Sequence, residues 1–112
     1  MSGQNGKALE GIRVVEFCHA ISGPATSMLM ADFGAEVIKI EPPGGDNARK
    51  WGSARWGRND EFSAQFLALN RNKKSIALDI KHPAGRATAL RILDAADVLL
   101  ENYKPGAMAR LG

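Results

Sequence analysis

The sequence contains a single cysteine, Cys18, so no disulfide can form within the chain. Nothing in the cysteine usage argues for secretion, and the cytoplasm is the expected compartment. Long apolar runs are missing too. None approaches the ~20 consecutive apolar residues of a membrane span, and the start has no signal-peptide core. Residues 1–8 read instead as a flexible polar lead-in. Cys18, His19 and His82 lack any metal-ligand spacing, so no metal is expected. No G-x-G-x-x-G follows the first predicted strand, which argues against a nicotinamide dinucleotide site. Trp51, Trp56 and Phe62 lie among basic residues, but no nucleic-acid motif accompanies them.

What is present is an ordinary globular composition, 45% hydrophobic and 24% charged over 112 residues, enough for one domain with a core. The segment from Leu9 to Pro43 organises it. Residues 11–17 are apolar and β-branched, which predicts a largely buried strand. A small-residue turn follows, and Pro24 fits the first turn of a helix, where its missing N–H has no partner anyway. Ala25, Met28, Leu29 and Phe33 form the apolar face of that helix, and Gly34 suits its left-handed stop. Residues 36–41 supply a second strand, ended by Pro42 and Pro43. A strand–helix–strand unit this tight implies a parallel pair, whose ligands bind beyond the carboxyl ends of the strands.

The formal charge of +3 is unevenly placed. Residues 49–74 hold seven basic side chains against Asp60 and Glu61, a local charge of +5, leaving −2 for the rest. Such a segment suits either an anionic ligand or a solvated loop. Residues 48–62 show no clear period and read as a long loop with some helical turns. Phe62, Phe66 and Leu69 mark a short helix, and residues 70–74 a polar turn. A second unit repeats the first: a strand over 75–79, a helix opened by Pro83 and running to about Ala95, and a strand over 97–101. Pro105 opens a third, brief helix. The pattern predicts an α/β fold with an open, mostly parallel, Rossmann-like sheet and flanking helices. So short a final helix would leave apolar sheet face uncovered, as expected of the N-terminal portion of a larger fold.

Four blocks carry a resemblance: LEGIRVVEF, SGPATSMLMADFGAEVIKIEPPGGDNAR, LNRNKKSIALDIKHPAGR and ADVLLENYKPGAMARLG. In this order they resemble family III CoA-transferases, a group that includes formyl-CoA transferase, carnitine CoA-transferase and the α-methylacyl-CoA racemases. The resemblance runs from about Leu9 to Gly112. It implies an enzyme that moves CoA between carboxylic acids, with acyl-CoA and a small carboxylic acid as substrates and an intertwined homodimer as the assembly. The racemase is the alternative enzyme, and a non-catalytic CoA-binding fragment the alternative of another class. Residues 9–112 would form the CoA-binding part. The positions matching those that hold CoA in the family are Ile21 and Ser22, then Leu78, Asp79, Ile80 and Lys81, then Asn102, Tyr103 and Lys104, and finally Arg110. Some relatives place an arginine where this chain has Pro42; Arg49 or another basic residue is the candidate substitute. The nucleophilic aspartate of the transferases is expected beyond Gly112, so no catalytic residue is expected in this chain, and the 112 residues alone are expected to be inactive.

Local candidates have simpler readings beside their chemical ones. His19, in the turn after the first strand, lies near where a thioester would rest, yet suits a hydrogen-bonding or packing role. His82 reads as the residue that opens a helix at the surface, and Cys18 as a small buried side chain. Asp79 and Glu101, at strand ends, suit turn organisation. Tyr103 either packs on adenine or fills a loop.

Overall fold

A computed structural model of the protein describes residues 6–112. Most of the expected lead-in, residues 1–5, therefore lies outside the described residues. By Leu9 the chain is already docked, its amide donating to Phe33 O at 2.8 Å.

Strand β1 (Arg13–Phe17) leads through a turn into helix α1 (Ser22–Asp32), and strand β2 (Glu36–Glu41) follows. Gly34, at φ +105°, makes the left-handed stop between helix and strand. A side chain there would also press within 2.6 Å of Lys7 Cβ. A 3₁₀ turn (Asn47–Lys50), strands β3 (Arg55–Trp56) and β4 (Phe62–Ser63) and helix α2 (Ala64–Leu69) form an excursion from the sheet. The chain returns in strand β5 (Lys73–Ala77), crosses in helix α3 (Pro83–Asp94), re-enters as strand β6 (Val98–Glu101) and ends with helix α4 (Ala107–Leu111).

The main sheet has the order β5-β2-β1-β6, and all its pairs are parallel. The crossover connections of a parallel sheet put helices on both of its faces, and here the two faces differ. On one, Val14 and Val37 pack against Ala31 and Met30 of α1. On the other, Val15, Phe17 and Ile40 pack against Ala89, Ile92 and Leu93 of α3 and Met108 of α4. The α/β sheet with flanking helices is thus as the sequence predicts, and no helix among the described residues is long and apolar enough to cross a membrane.

Three local expectations change. Helix α1 turns Gly23, Pro24, Ser27 and Ala31 to the interior, while Leu29 and Phe33 are 52% and 56% exposed. Small residues are needed there because the helix sits close: a Cβ on Gly23 would lie 2.5 Å from Cys18 Sγ. Strand β5 begins at Lys73, two residues before the expected start, because the Lys73 ammonium is drawn inward to a buried carboxylate. Within the expected loop, residues 55–63 form a small antiparallel hairpin in which Trp56 opposes Phe62. Arg55 organises it rather than projecting into solvent, donating to Asp60 O at 2.9 Å and Arg49 O at 3.1 Å.

Candidate functional site

In the parallel register Glu41 lies opposite Ala77 and Phe17 opposite Glu101, so the four strands end together. The segments that follow β2, β5 and β6 surround an open cleft of about 830 Å³. Leu78 continues the ladder by donating to Glu41 O at 2.9 Å, and the chain then turns. Asp79 Oδ1 accepts from Lys81 N at 3.1 Å, and Asp79 O accepts from His82 N at the same distance. His82 caps α3, its Nδ1 accepting from Ala84 N at 3.1 Å. The first turn of α3 presses on this corner so closely that a Cβ on Gly85 would lie 2.0 Å from Asp79 O. On the far side Glu101 accepts from Tyr103 N at 2.9 Å, and Gly106, at φ +83°, starts α4. Lys104 O accepts from Ala107 N, and Arg110 follows one turn later.

Of the ten residues expected to hold CoA, six line this cleft: Leu78, Asp79, Ile80, Lys81, Tyr103 and Arg110. Ile40 and Leu111 add apolar wall, and Pro42 and Pro43 form the rim. Lys104 is exposed outside it. Ile21, Ser22 and Asn102 lie elsewhere, around the turn after β1, where Asn102 Nδ2 is 3.5 Å from Ser22 Oγ. A smaller hollow of about 170 Å³ adjoins that turn, with Cys18, His19 and Asp46 in its wall. It shares Pro42 and Tyr103 with the larger cleft, and the His19 and Tyr103 rings lie 5.4 Å apart. Burial raises the Tyr103 phenol above its ordinary range, with Cys18, Asp46 and Glu101 adding to the effect.

Arg49, the candidate substitute for an arginine at Pro42, does not line the cleft. Its guanidinium pairs with buried Glu41 at 2.9 Å and stacks over Phe66 at 3.9 Å. The cation that sequence reasoning passes over is Arg86, which lines the cleft from the first turn of α3 and donates to Leu111 O at 3.0 Å. A basic residue in the opening turn of a helix that leaves a strand end was the available signal. Lys81, Arg86 and Arg110 thus face an apolar floor from three segments.

Beneath the turn lies a second feature that sequence reasoning misses. Glu16 and Lys39 oppose each other in the β1–β2 register and are both fully buried. Glu16 Oε1 pairs with Lys39 Nζ at 3.3 Å and with Lys73 Nζ at 3.0 Å, while Oε2 accepts from Ser27. Lys39 also lies 3.0 Å from Asp46 Oδ2 and donates to Cys18 O at 2.9 Å. That carboxylate oxygen is neutralised by the ammonium without a directed hydrogen bond. Two ammoniums and two carboxylates compensate one another here, which makes the burial affordable. Desolvation lowers the Lys73 ammonium, and Glu16 opposes that shift. Burial pushes the Cys18 thiol up to about 12, and the Glu16 carboxylate adds to it. The signal was present in the alternation: Glu16 and Lys39 occupy interior positions of strands covered on both faces. Among the described residues no group of three or more His, Cys, Asp or Glu is placed to hold a metal ion.

Comparison with known proteins bears on this arrangement. The chain is 45% identical over 107 residues to succinyl-CoA:glutarate CoA-transferase of Mus musculus, covering 95% of this chain and 24% of that protein. It is 46% identical over 107 residues to formyl-CoA:oxalate CoA-transferase of Bradyrhizobium, again 95% of this chain and 24% of the relative. Among solved structures, a CAIB/BAIF family protein from Brucella suis superposes with a TM-score of 0.90 at 37% identity, covering 96% of this chain and 29% of that one. The chain therefore spans about a quarter of the length of these relatives. Residues 9–112 match the profile of CoA-transferase family III, and the chain belongs to that family.

Proposed function

We propose that this chain forms the CoA-binding part of an enzyme that moves CoA between carboxylic acids. The observation that carries the reading is the cleft at the strand ends, where Lys81, Arg86 and Arg110 face an apolar floor of Ile40, Leu78 and Ile80. CoA presents a 3′-phosphate, a pyrophosphate and a flat base. Charge-assisted donors suit the first two, and an apolar slot beside Tyr103 suits the third. Residues 78–81 and Tyr103 shape the wall, and Ile21 and Ser22, at the start of α1, stand where the thiol arm would arrive. Transfer is preferred to racemisation because relatives at 45% and 46% identity carry transferase names.

The covalent step belongs to residues outside this chain in this reading. Each carboxylate near the cleft is already engaged: Glu41 by Arg49, Asp79 by its own turn, Glu101 by Tyr103 N. The 112 residues alone should therefore turn over no acyl-CoA. The whole enzyme is read as a homodimer whose partner subunit covers apolar surface left open here.

Calorimetric titration of CoA tests the site. Lys81→Ala, Arg86→Ala and Arg110→Ala should each weaken binding about ten- to hundredfold, the loss of one charge-assisted contact. The exposed pair Lys50→Ala/Arg58→Ala should change it little. Repeating the titration with dephospho-CoA identifies the residue that serves the 3′-phosphate, because its variant loses the preference for CoA. Stronger loss in the Lys50/Arg58 double variant than in Arg110→Ala would place the ligand over the basic hairpin and refute the assignment.

A further inference from the structure

The turn from Cys18 to Ala20 makes its main-chain bonds to side chains from other elements. Cys18 O accepts from Lys39 Nζ at 2.9 Å, and Lys39 comes from β2. His19 N donates to Asn102 Oδ1 at 3.0 Å, and His19 O accepts from Asn102 Nδ2 at 2.8 Å. Ala20 N donates to Asp46 Oδ1 at 3.3 Å. Ala20 has φ +66°, a left-handed conformation that a side chain disfavours and that surrounding structure must hold.

We infer that Asn102, seconded by Asp46 and Lys39, is a positioning residue that locks the β1–α1 turn in the shape that receives the reactive arm of CoA. The inference rests on the CoA-binding reading and deepens it. Both ends of the Asn102 amide are engaged by the main chain of one residue, His19, in the turn after β1. The Asn102 side chain therefore acts on the ligand through His19, as Asp46 does through Ala20, and the ligand meets the turn instead of the amide. The hollow beside the turn adjoins the cleft, sharing Pro42 and Tyr103 with it and having His19 in its wall, so it is the place for an arm that leaves the cleft on this side. A turn without this clamp would have to pay its ordering entropy when the ligand arrives, which lowers affinity for any ligand that touches it.

The test compares two ligands: CoA, which reaches the turn, and adenosine 3′,5′-bisphosphate, which fills only the cleft. Hydrogen exchange at the His19 amide is followed in the same samples. Asn102→Ala should speed His19 exchange and weaken CoA about tenfold, leaving the bisphosphate within about twofold of wild type. Asn102→Leu keeps the branched shape but can neither accept from His19 N nor donate to His19 O, so it should show the same pattern without opening a cavity. Either variant losing CoA affinity with His19 exchange unchanged would make Asn102 a direct ligand and overturn the inference. Equal losses for both ligands would reduce it to general destabilisation, and faster exchange with unchanged CoA affinity would sever the turn from binding. Failure of the wild-type protein to bind CoA would overturn the functional reading along with it, whereas the other outcomes reach the clamp alone.

Discussion

Lys39→Met is expected to cost about 3–5 kcal/mol, most of it from groups the lysine leaves behind. Methionine nearly matches the buried stem in volume, so little is lost in packing. The ammonium, however, is 1% exposed and serves Glu16, Asp46 and Cys18 O together. Without it Asp46 keeps only the Ala20 and Ala48 amides, at 3.3 and 2.9 Å, and its Oδ2 is an uncompensated buried charge. Glu16 retains Lys73 and Ser27, which is why the cost stays near that of a single broken pair. Against a total stability of roughly 0.05–0.15 kcal/mol per residue, this is a large share. Urea unfolding followed by circular dichroism measures it, with an unchanged m-value showing that the denatured state is not what moved. Arg13→Ala, which breaks the half-exposed 2.7 Å pair with Glu36, is the control and should cost about 0–1 kcal/mol. A double-mutant cycle with Asp46→Asn should return a coupling of about 0.5–3 kcal/mol. If Lys39→Met costs no more than the control, or the cycle shows no coupling, the buried charges do not hold one another as argued.

Gly85→Ala should destabilise the protein by about 1–3 kcal/mol and weaken CoA, since its methyl would strike Asp79 O and push α3 off the cleft corner; urea midpoints and a CoA titration check both. Acid should unfold the protein through three carboxyls held below their ordinary values of 3.8 and 4.5. The Arg71 hydrogen bond lowers Asp32, the Arg13 hydrogen bond lowers Glu36, and for Asp46 burial pushes up but the Ala48 and Ala20 amides and Lys39 outweigh it. The unfolded chain protonates first, so this stability is present above about pH 4.5 and is lost as pH falls through the lower folded values, with a shallower fall in Asp46→Asn on pH-dependent melts. Cys18 should resist iodoacetamide at pH 8 until the protein is unfolded in urea, because its buried thiol stays protonated; fast labelling of the native protein would contradict that. The exposed Leu29 and Phe33 on α1 and Leu90 and Leu99 at the other face should drive self-association, and sedimentation showing a clean monomer at high concentration would refute this.

Much of this protein was legible in order along the chain. Short apolar strands, Pro24 and Pro83 in the first turns of helices and Gly34 at a helix stop are local signals. They depend on backbone geometry that a few neighbouring residues dictate, and they carried the element order and the parallel α/β sheet. The motif blocks likewise pointed to residues 78–81, Tyr103 and Arg110, which the strand ends bring to one cleft. Tertiary structure decided the direction and employment of side chains. Leu29 and Phe33 looked like the core face of α1, yet close approach to the sheet turns Gly23, Pro24, Ser27 and Ala31 inward instead. Lys73 looked like part of a polar turn and is a buried partner of Glu16; Arg49 looked free for phosphate and is held by Glu41 and Phe66. Asn102 looked like a ligand residue, and its amide grips His19 across 83 positions of sequence. A charge or an amide carries no local mark of its partner, because the pairing energy appears only when distant segments meet in a medium that excludes water.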